Sequence, residues 1–138
     1  MNHVLNSDRP DKVALVEGDN TFTYAHIESR IEQFASGVLA GRRDLEEARV
    51  AFLIPAGVDY VTVLHGVWRA GGIAIPLNVA AAESEWEHCL TSAGVTQVIA
   101  DTQTLGSIEG LCGRLSIPIG TVSDTLTDSV SPLPELST

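Results

Sequence analysis

The residues Val67-Trp68-Arg69-Ala70-Gly71-Gly72-Ile73-Ala74-Ile75-Pro76-Leu77-Asn78 join a helix to a strand. Val61, Leu64, Val67 and Trp68 recur at helical spacing up to the two glycines. Consecutive glycines do not comfortably continue a helix, and one of them can adopt the left-handed cap conformation. Ile73 to Pro76 is then an apolar run without polar alternation, the pattern of a strand covered on both faces. A helix handed to a strand within so few residues is the joint of a parallel α/β unit. It predicts a fold and carries no chemistry.

The neighbouring segments repeat this grammar. Val50-Ala51-Phe52-Leu53-Ile54 is the clearest strand and is ended by Pro55. The helix Val58 to Ala70 follows, with Asp59 near its start and Arg69 near its end, both suited to the helix dipole. Its polar side is a thin line of Asp59, Thr62, Gly66 and Arg69, while Tyr60, Val61, Val63, Leu64, Val67 and Trp68 are apolar. One apolar stripe suffices for a surface helix, so the wider face predicts a second layer packed outside it. Beyond the joint, Val79 to Ala82 fits either a loop or a first turn, and Glu83 to Ala93 reads as a helix loaded with acid at its start. Gln97 to Ala100 reads as a strand, Thr104 to Leu115 as a helix, and Ile117-Pro118-Ile119 as an edge strand.

Upstream, Val13 to Val16 and Asn20 to Thr23 flank Gly18-Asp19, a Gly-X hairpin turn. Thr23 is placed to cap a helix whose stripe is Ile27, Ile31, Phe34, Ala35 and Val38, with Gly41 as its stop. Arg42-Arg43 then falls at a helix end, and Arg42 to Arg49 reads as a solvated turn. The expected architecture is α/β: a mostly parallel sheet flanked by helices, flavodoxin-like in layout, behind an N-terminal β-hairpin. Residues 1–122 form this subdomain. Residues 123–138 are rich in Ser, Thr, Asp and Pro and read as a linker.

Composition narrows the partners. A net charge of −10 argues against nucleic acid and anionic membranes, which call for clustered Lys and Arg. No apolar run approaches the ~20 residues of a membrane span. The first twenty residues are too polar and acidic for a secretory signal. Cys89 and Cys112 lie far apart, outside any metal or redox spacing, and fit a reducing cytoplasm.

Candidate chemistry is sparse. A phosphate site needs a glycine loop leading from strand to helix. Gly71-Gly72 lies on the opposite kind of connection, and Gly57 stands alone. Asp101 follows a strand, but Pro55 and Pro76 end the two central ones that a receiver-type acidic cluster would use. Of the four histidines, His3, His26, His65 and His88, only His88 has a partner at ligand spacing, Glu85, and no second such pair exists. Ser36-Gly37 and Ser92-Ala93-Gly94 lie within or at the end of helices, and no serine sits in Gly-x-Ser-x-Gly. No catalytic, cofactor-binding or metal-binding residue is assigned to this chain.

Two segments together resemble a known superfamily. Thr23-Tyr24-Ala25-His26-Ile27 resembles the Leu-Thr/Ser-Tyr-x-Glu-Leu segment of adenylate-forming (AMP-binding) enzymes. These comprise acyl-CoA synthetases, peptide-synthetase adenylation domains and luciferases. Trp68 to Asn78 resembles their Lys/Arg-Ala-Gly-x-x-x-x-Pro-Leu segment. Pro10 to Val16 is similar to its opening strand, Val50 to Tyr60 to its strand, proline and helix start, and Ala93 to Asp101 to its Ser-Gly-Ala-x-x-Val-Ile strand, all in unbroken order. His26 departs from the family glutamate that would complete a capping box with the threonine.

The resemblance implies the N-terminal scaffold of an ATP-dependent carboxylate-activating ligase of the acyl-CoA synthetase type, incomplete by itself. It implies ATP, magnesium and CoA as cofactors of the complete enzyme, none of them held here, since the family's phosphate loop, acyl pocket and catalytic lysine lie beyond the matched region. The apolar helix 58–70 would then meet the remainder of the parent enzyme or a second copy, and a carboxylic acid would be substrate only in the full-length protein. The alternative is an autonomous flavodoxin-like binding or regulatory module acting through that same helix.

Overall fold

The alternating apolar runs and helical stripes become a parallel sheet, two helical layers and a hairpin in the computed structural model, which describes residues 12–127. The order is β1 (Val13–Glu17), β2 (Asn20–Thr23), α1 (Tyr24–Leu39), β3 (Arg49–Leu53), α2 (Val58–Arg69), β4 (Ile73–Pro76), α3 (Glu83–Ser92), β5 (Gln97–Ala100), α4 (Leu105–Leu115), β6 (Ile119–Thr121) and α5 (Val122–Thr125). β1 and β2 pair antiparallel, with Gly18 at φ +60° opening the turn. The other four strands pair parallel in the order β4-β3-β5-β6. No described helix is long and apolar enough to cross a membrane.

β3 alternates its side chains between two cores. Val50 and Phe52 pack with α1, α2 and α5 on one face, and Ala51 and Leu53 with α3 and α4 on the other. A third cluster, Ile27, Ile31 and Val58 with Leu15 and Phe22, seats the hairpin on α1 and α2. Thr23 caps α1 as its position predicts, its hydroxyl accepting from the His26 amide at 3.1 Å.

Three expectations need correction. β4 is not a central strand. It is an edge of the sheet, with Ile73 40% exposed and Pro76 exposed, because β5 returns to the far side of β3. The amides of Ile73 and Leu77 bond to β3, so by the period of two residue 76 faces the open edge, where proline has no donor to leave unpaired. Next, the segment Arg42 to Arg49 is more than a solvated turn. Leu45 is buried, its amide bonds the Ala70 carbonyl at 2.9 Å, and the Glu47 amide bonds that of Gly71 at 2.8 Å, which satisfies the end of α2. Last, α1 ends at Leu39 with Ala40 in the left-handed region, so Arg42-Arg43 lies past its final turn.

The glycine joint works as two separate devices. Gly71 takes φ +89°, and a Cβ there would also fall 2.1 Å from Asp44 Oδ1. Gly72 needs room: an added Cβ would sit 2.8 Å from Leu45 Cδ1 and 2.9 Å from Val67 Cγ1. Ordered chain also continues past the expected start of the linker at Ser123, since α5 and Leu126 pack on the α1 side of the sheet. Residues 128–138 lie outside the described residues.

The polar line of α2 faces inward. Thr62 and Gly66 are buried, and the Thr62 hydroxyl is satisfied by donating to the Val58 carbonyl at 2.7 Å. Asp59 pairs with Arg30 at 2.7 Å, and Arg69 holds both carboxylate oxygens of Glu28, both partners on α1. Between them, a Cβ on Gly66 would lie 2.6 Å from Phe34 Cδ1. Gly66→Ala therefore tests the seam. Helix propensity alone favours alanine by about 1 kcal/mol, whereas forcing the helices apart costs about 1–3 kcal/mol. Denaturant melts should show a net loss of stability, and a gain would mean the helices do not touch there.

Candidate functional site

In an open parallel sheet the place to look for ligand chemistry is beyond the carboxyl ends of the strands, where the strand order reverses. That point lies between β3 and β5, with β4 on one side of β3 and β5 on the other. A crevice of about 300 Å³ opens there, lined by residues 54–57 after β3, residues 101–103 after β5, Asp59 of α2 and Glu17 of the hairpin.

Its polar groups are engaged in holding the fold. α2 starts at Gly57 without a side-chain cap of its own. The cap comes from Glu17, whose Oε1 accepts from the Val58 amide at 2.8 Å. A carboxylate thus sits where a helix N-terminus would otherwise attract an anion. Gly57 leaves room for the contact, since an added Cβ would fall 2.1 Å from that oxygen and displace the Glu17 carboxylate. Asp101 is equally occupied: its Oδ1 accepts from the amides of Gln103 at 2.9 Å and Thr104 at 2.8 Å, shaping the turn into α4. The Thr104 hydroxyl donates across to the Leu53 carbonyl at 2.6 Å and ties that turn to β3.

The other residues weighed from sequence are scattered. Glu85 and His88 are exposed on α3, and the His88 ring lies 3.5 Å from the Ser92 hydroxyl. His26 is exposed beside Phe22, with ring centroids 5.7 Å apart. Ser36 is buried in α1, while Gly37 takes the close approach of α5: a Cβ there would meet the Thr125 carbonyl oxygen at 1.6 Å. His3 lies outside the described residues. Among the described residues no three of His, Cys, Asp and Glu are grouped to hold a metal. Cys112 is buried, and burial pushes its thiol pKa up, away from the reactive thiolate. A second hollow of about 260 Å³ lies beside β5 and β6, and of its lining residues only Asp124 ionises.

Sequence reasoning missed Glu17. Its amide partner is 41 residues away, so no local spacing could signal it. His65, half-buried on α2, is held below the ordinary histidine range, first by burial and then by the charge of Arg69, with Glu28 opposing.

Comparison with known proteins is consistent over most of the chain. The sequence model of the AMP-binding enzyme family matches residues 4–135. The mitochondrial malonate–CoA ligase ACSF3 of Mus musculus is 29% identical over 113 residues, covering 79% of this chain and 19% of the ligase. A feruloyl-CoA synthase of Amycolatopsis is 30% identical over 128 residues, covering 91% of this chain and 26% of the synthase. The o-succinylbenzoate coenzyme A synthetase MenE of Bacillus subtilis, solved with ATP and magnesium, superposes with a TM-score of 0.76 at 20% identity. That match covers 91% of this chain and 33% of the synthetase, and at such identity it supports the fold alone. The chain therefore spans about a quarter or less of the length of these two curated relatives.

Two outcomes follow from the crevice and from α2. Glu17→Ala should cost about 1 kcal/mol and speed hydrogen exchange at the Val58 amide, with Glu17→Gln milder because an acceptor remains. An unchanged exchange rate would remove Glu17 as the cap. For His65 the folded state disfavours the proton, so its contribution is present above the unfolded pKa near 6.5 and declines as pH falls below it. Melts between pH 8 and pH 5 should show an acid-side loss that His65→Gln reduces.

Proposed function

Because the chain belongs to the AMP-binding enzyme family, we propose that it is the N-terminal scaffold of an ATP-dependent ligase. Such a ligase joins a carboxylic acid to ATP as an acyl-adenylate and releases pyrophosphate. It then passes the acyl group to a thiol, releasing AMP. CoA is the thiol in this reading, supported by relatives named as CoA ligases and CoA synthases. The free cysteines support a reducing compartment, here the cytoplasm.

One observation carries the scaffold role: the carboxylates that line the crevice at the switch point are already engaged by partners within the protein. Its carboxylates Glu17, Asp59 and Asp101 would repel a triphosphate, and none of its lining residues is a lysine or arginine. The amide that opens α2 already binds Glu17. These residues do not fit ATP, and no catalytic step is assigned to them. In the proposed enzyme ATP, magnesium, CoA and the acid are held by the remainder of the polypeptide, with this subdomain as its support.

The purified chain is expected to catalyse no carboxylate-dependent exchange of pyrophosphate into ATP, whatever acid is supplied. The coding sequence should run in frame past Thr138 into a Thr-Ser-Gly-rich phosphate loop with a lysine, and the longer product should exchange. Exchange by the short chain would overturn the scaffold reading. A stop codon directly after Thr138 would favour the autonomous module.

A further inference from the structure

We infer that α4 is a movable cover: it opens while the rest of the fold stays closed, and its opening presents the Cys112 thiol to thiol-reactive molecules. The basis is where its glycines stand. α4 holds three, Gly106, Gly110 and Gly113, at spacings of four and three on one exposed face. None has a left-handed backbone, and for each an added Cβ would meet nothing within 4 Å. Neither backbone geometry nor packing therefore calls for glycine at these positions. The neighbouring helices differ. Gly37 of α1 lies against the Thr125 carbonyl, and Gly66 of α2 lies against the Phe34 ring. Each glycine inside a helix lowers its population about fivefold relative to alanine, so three compound to about a hundredfold.

The ends of α4 add little resistance. Thr104 at its start gives no side-chain cap, because its hydroxyl donates to the Leu53 carbonyl, and no acid stands in the first turn. At the other end Ser116 takes φ +57°, the left-handed conformation that glycine adopts without strain. The outer ties to α3 are the Arg114 pairs with Glu83 at 3.0 Å and Glu87 at 3.5 Å, between well-exposed side chains that contribute little. What holds the helix is its underside, Ile108, Leu111 and Cys112, buried in the α3–α4 core. The strands beneath keep a ladder of their own, with β6 paired to β5. Segments held by few apolar contacts open below the free energy of global unfolding. In the closed state Cys112 is wholly buried and inert, and opening turns it into a nucleophile for small disulfides and other electrophiles.

The test is thiol labelling of the native chain with an aromatic disulfide, DTNB, in a Cys89→Ser background so that Cys112 alone reports. The Cys112 thiolate attacks one sulfur, forms a mixed disulfide and expels a coloured aromatic thiolate, which absorbance counts. Gly106→Ala and Gly110→Ala should each slow labelling about fivefold, and the triple variant with Gly113→Ala about a hundredfold. The parent rate should depend only weakly on urea, since local opening exposes little surface. Ile31→Val, in the hairpin cluster on the other side of the sheet, should lower the melting midpoint and leave the labelling rate unchanged. A urea slope equal to that of global unfolding, with labelling speeded by Ile31→Val, would show that the thiol appears only when the whole domain unfolds, and would overturn the proposal. Alanine variants that label at the parent rate would remove the glycines as the cause and overturn it equally.

Discussion

The structure depends on a missing side chain. At Gly66 the surface of α2 is bare, and the Phe34 ring of α1 occupies the space a methyl group would fill, 2.6 Å from its would-be position. Close approach strengthens dispersion contacts that fall off steeply with distance. Glu28–Arg69 and Arg30–Asp59 join α1 to the two ends of α2 and set its rotation. As partly exposed pairs they contribute modestly to stability, but they decide which side of α2 faces α1. With that rotation set, Val63, Val67 and Ala70 cover the sheet, and Leu64 packs at the margin of the same core.

The same economy governs the crevice beyond β3 and β5. Parallel α/β folds present helix N-termini and free amides at this point, which is why so many of them bind anions there. Here the anion is internal. Glu17 reaches over from the hairpin to the first amide of α2, and Asp101 closes the turn into α4. Both carboxylates are engaged with backbone donors, so their charge fixes loop geometry.

The sheet edge shows how apolar composition can mislead. Ile73 to Pro76 looks like a central strand because Ala74 packs on the α1–α2 core and Ile75 on the α3–α4 core. Both faces are partly covered, yet one side of the strand lacks a neighbour. The distinction rests on backbone hydrogen bonds, which side-chain hydropathy does not report. Pro76 carried the signal, since proline in a sheet is tolerated where its missing donor faces an open edge. Leu45 is a similar case: a lone apolar residue amid Arg42, Arg43, Asp44, Glu46 and Glu47 that nonetheless anchors the loop to the end of α2.

Local pattern by itself determined the element order as far as β6, the parallel α/β class, the hairpin turn at Gly18, the threonine cap of α1 and the glycine joint at 71–72. Each follows from spacings of two, three or four residues and from backbone preferences that act within one turn. The motifs at Thr23 and Trp68 to Asn78 also made the family legible, because turns and caps restrict which residue types can occupy them. Tertiary structure alone decided that β4 lies at an edge, that the polar line of α2 faces α1, and that Glu17 caps a helix 41 residues further on. Those outcomes depend on contacts between segments remote in sequence, and no local period encodes which remote group will arrive.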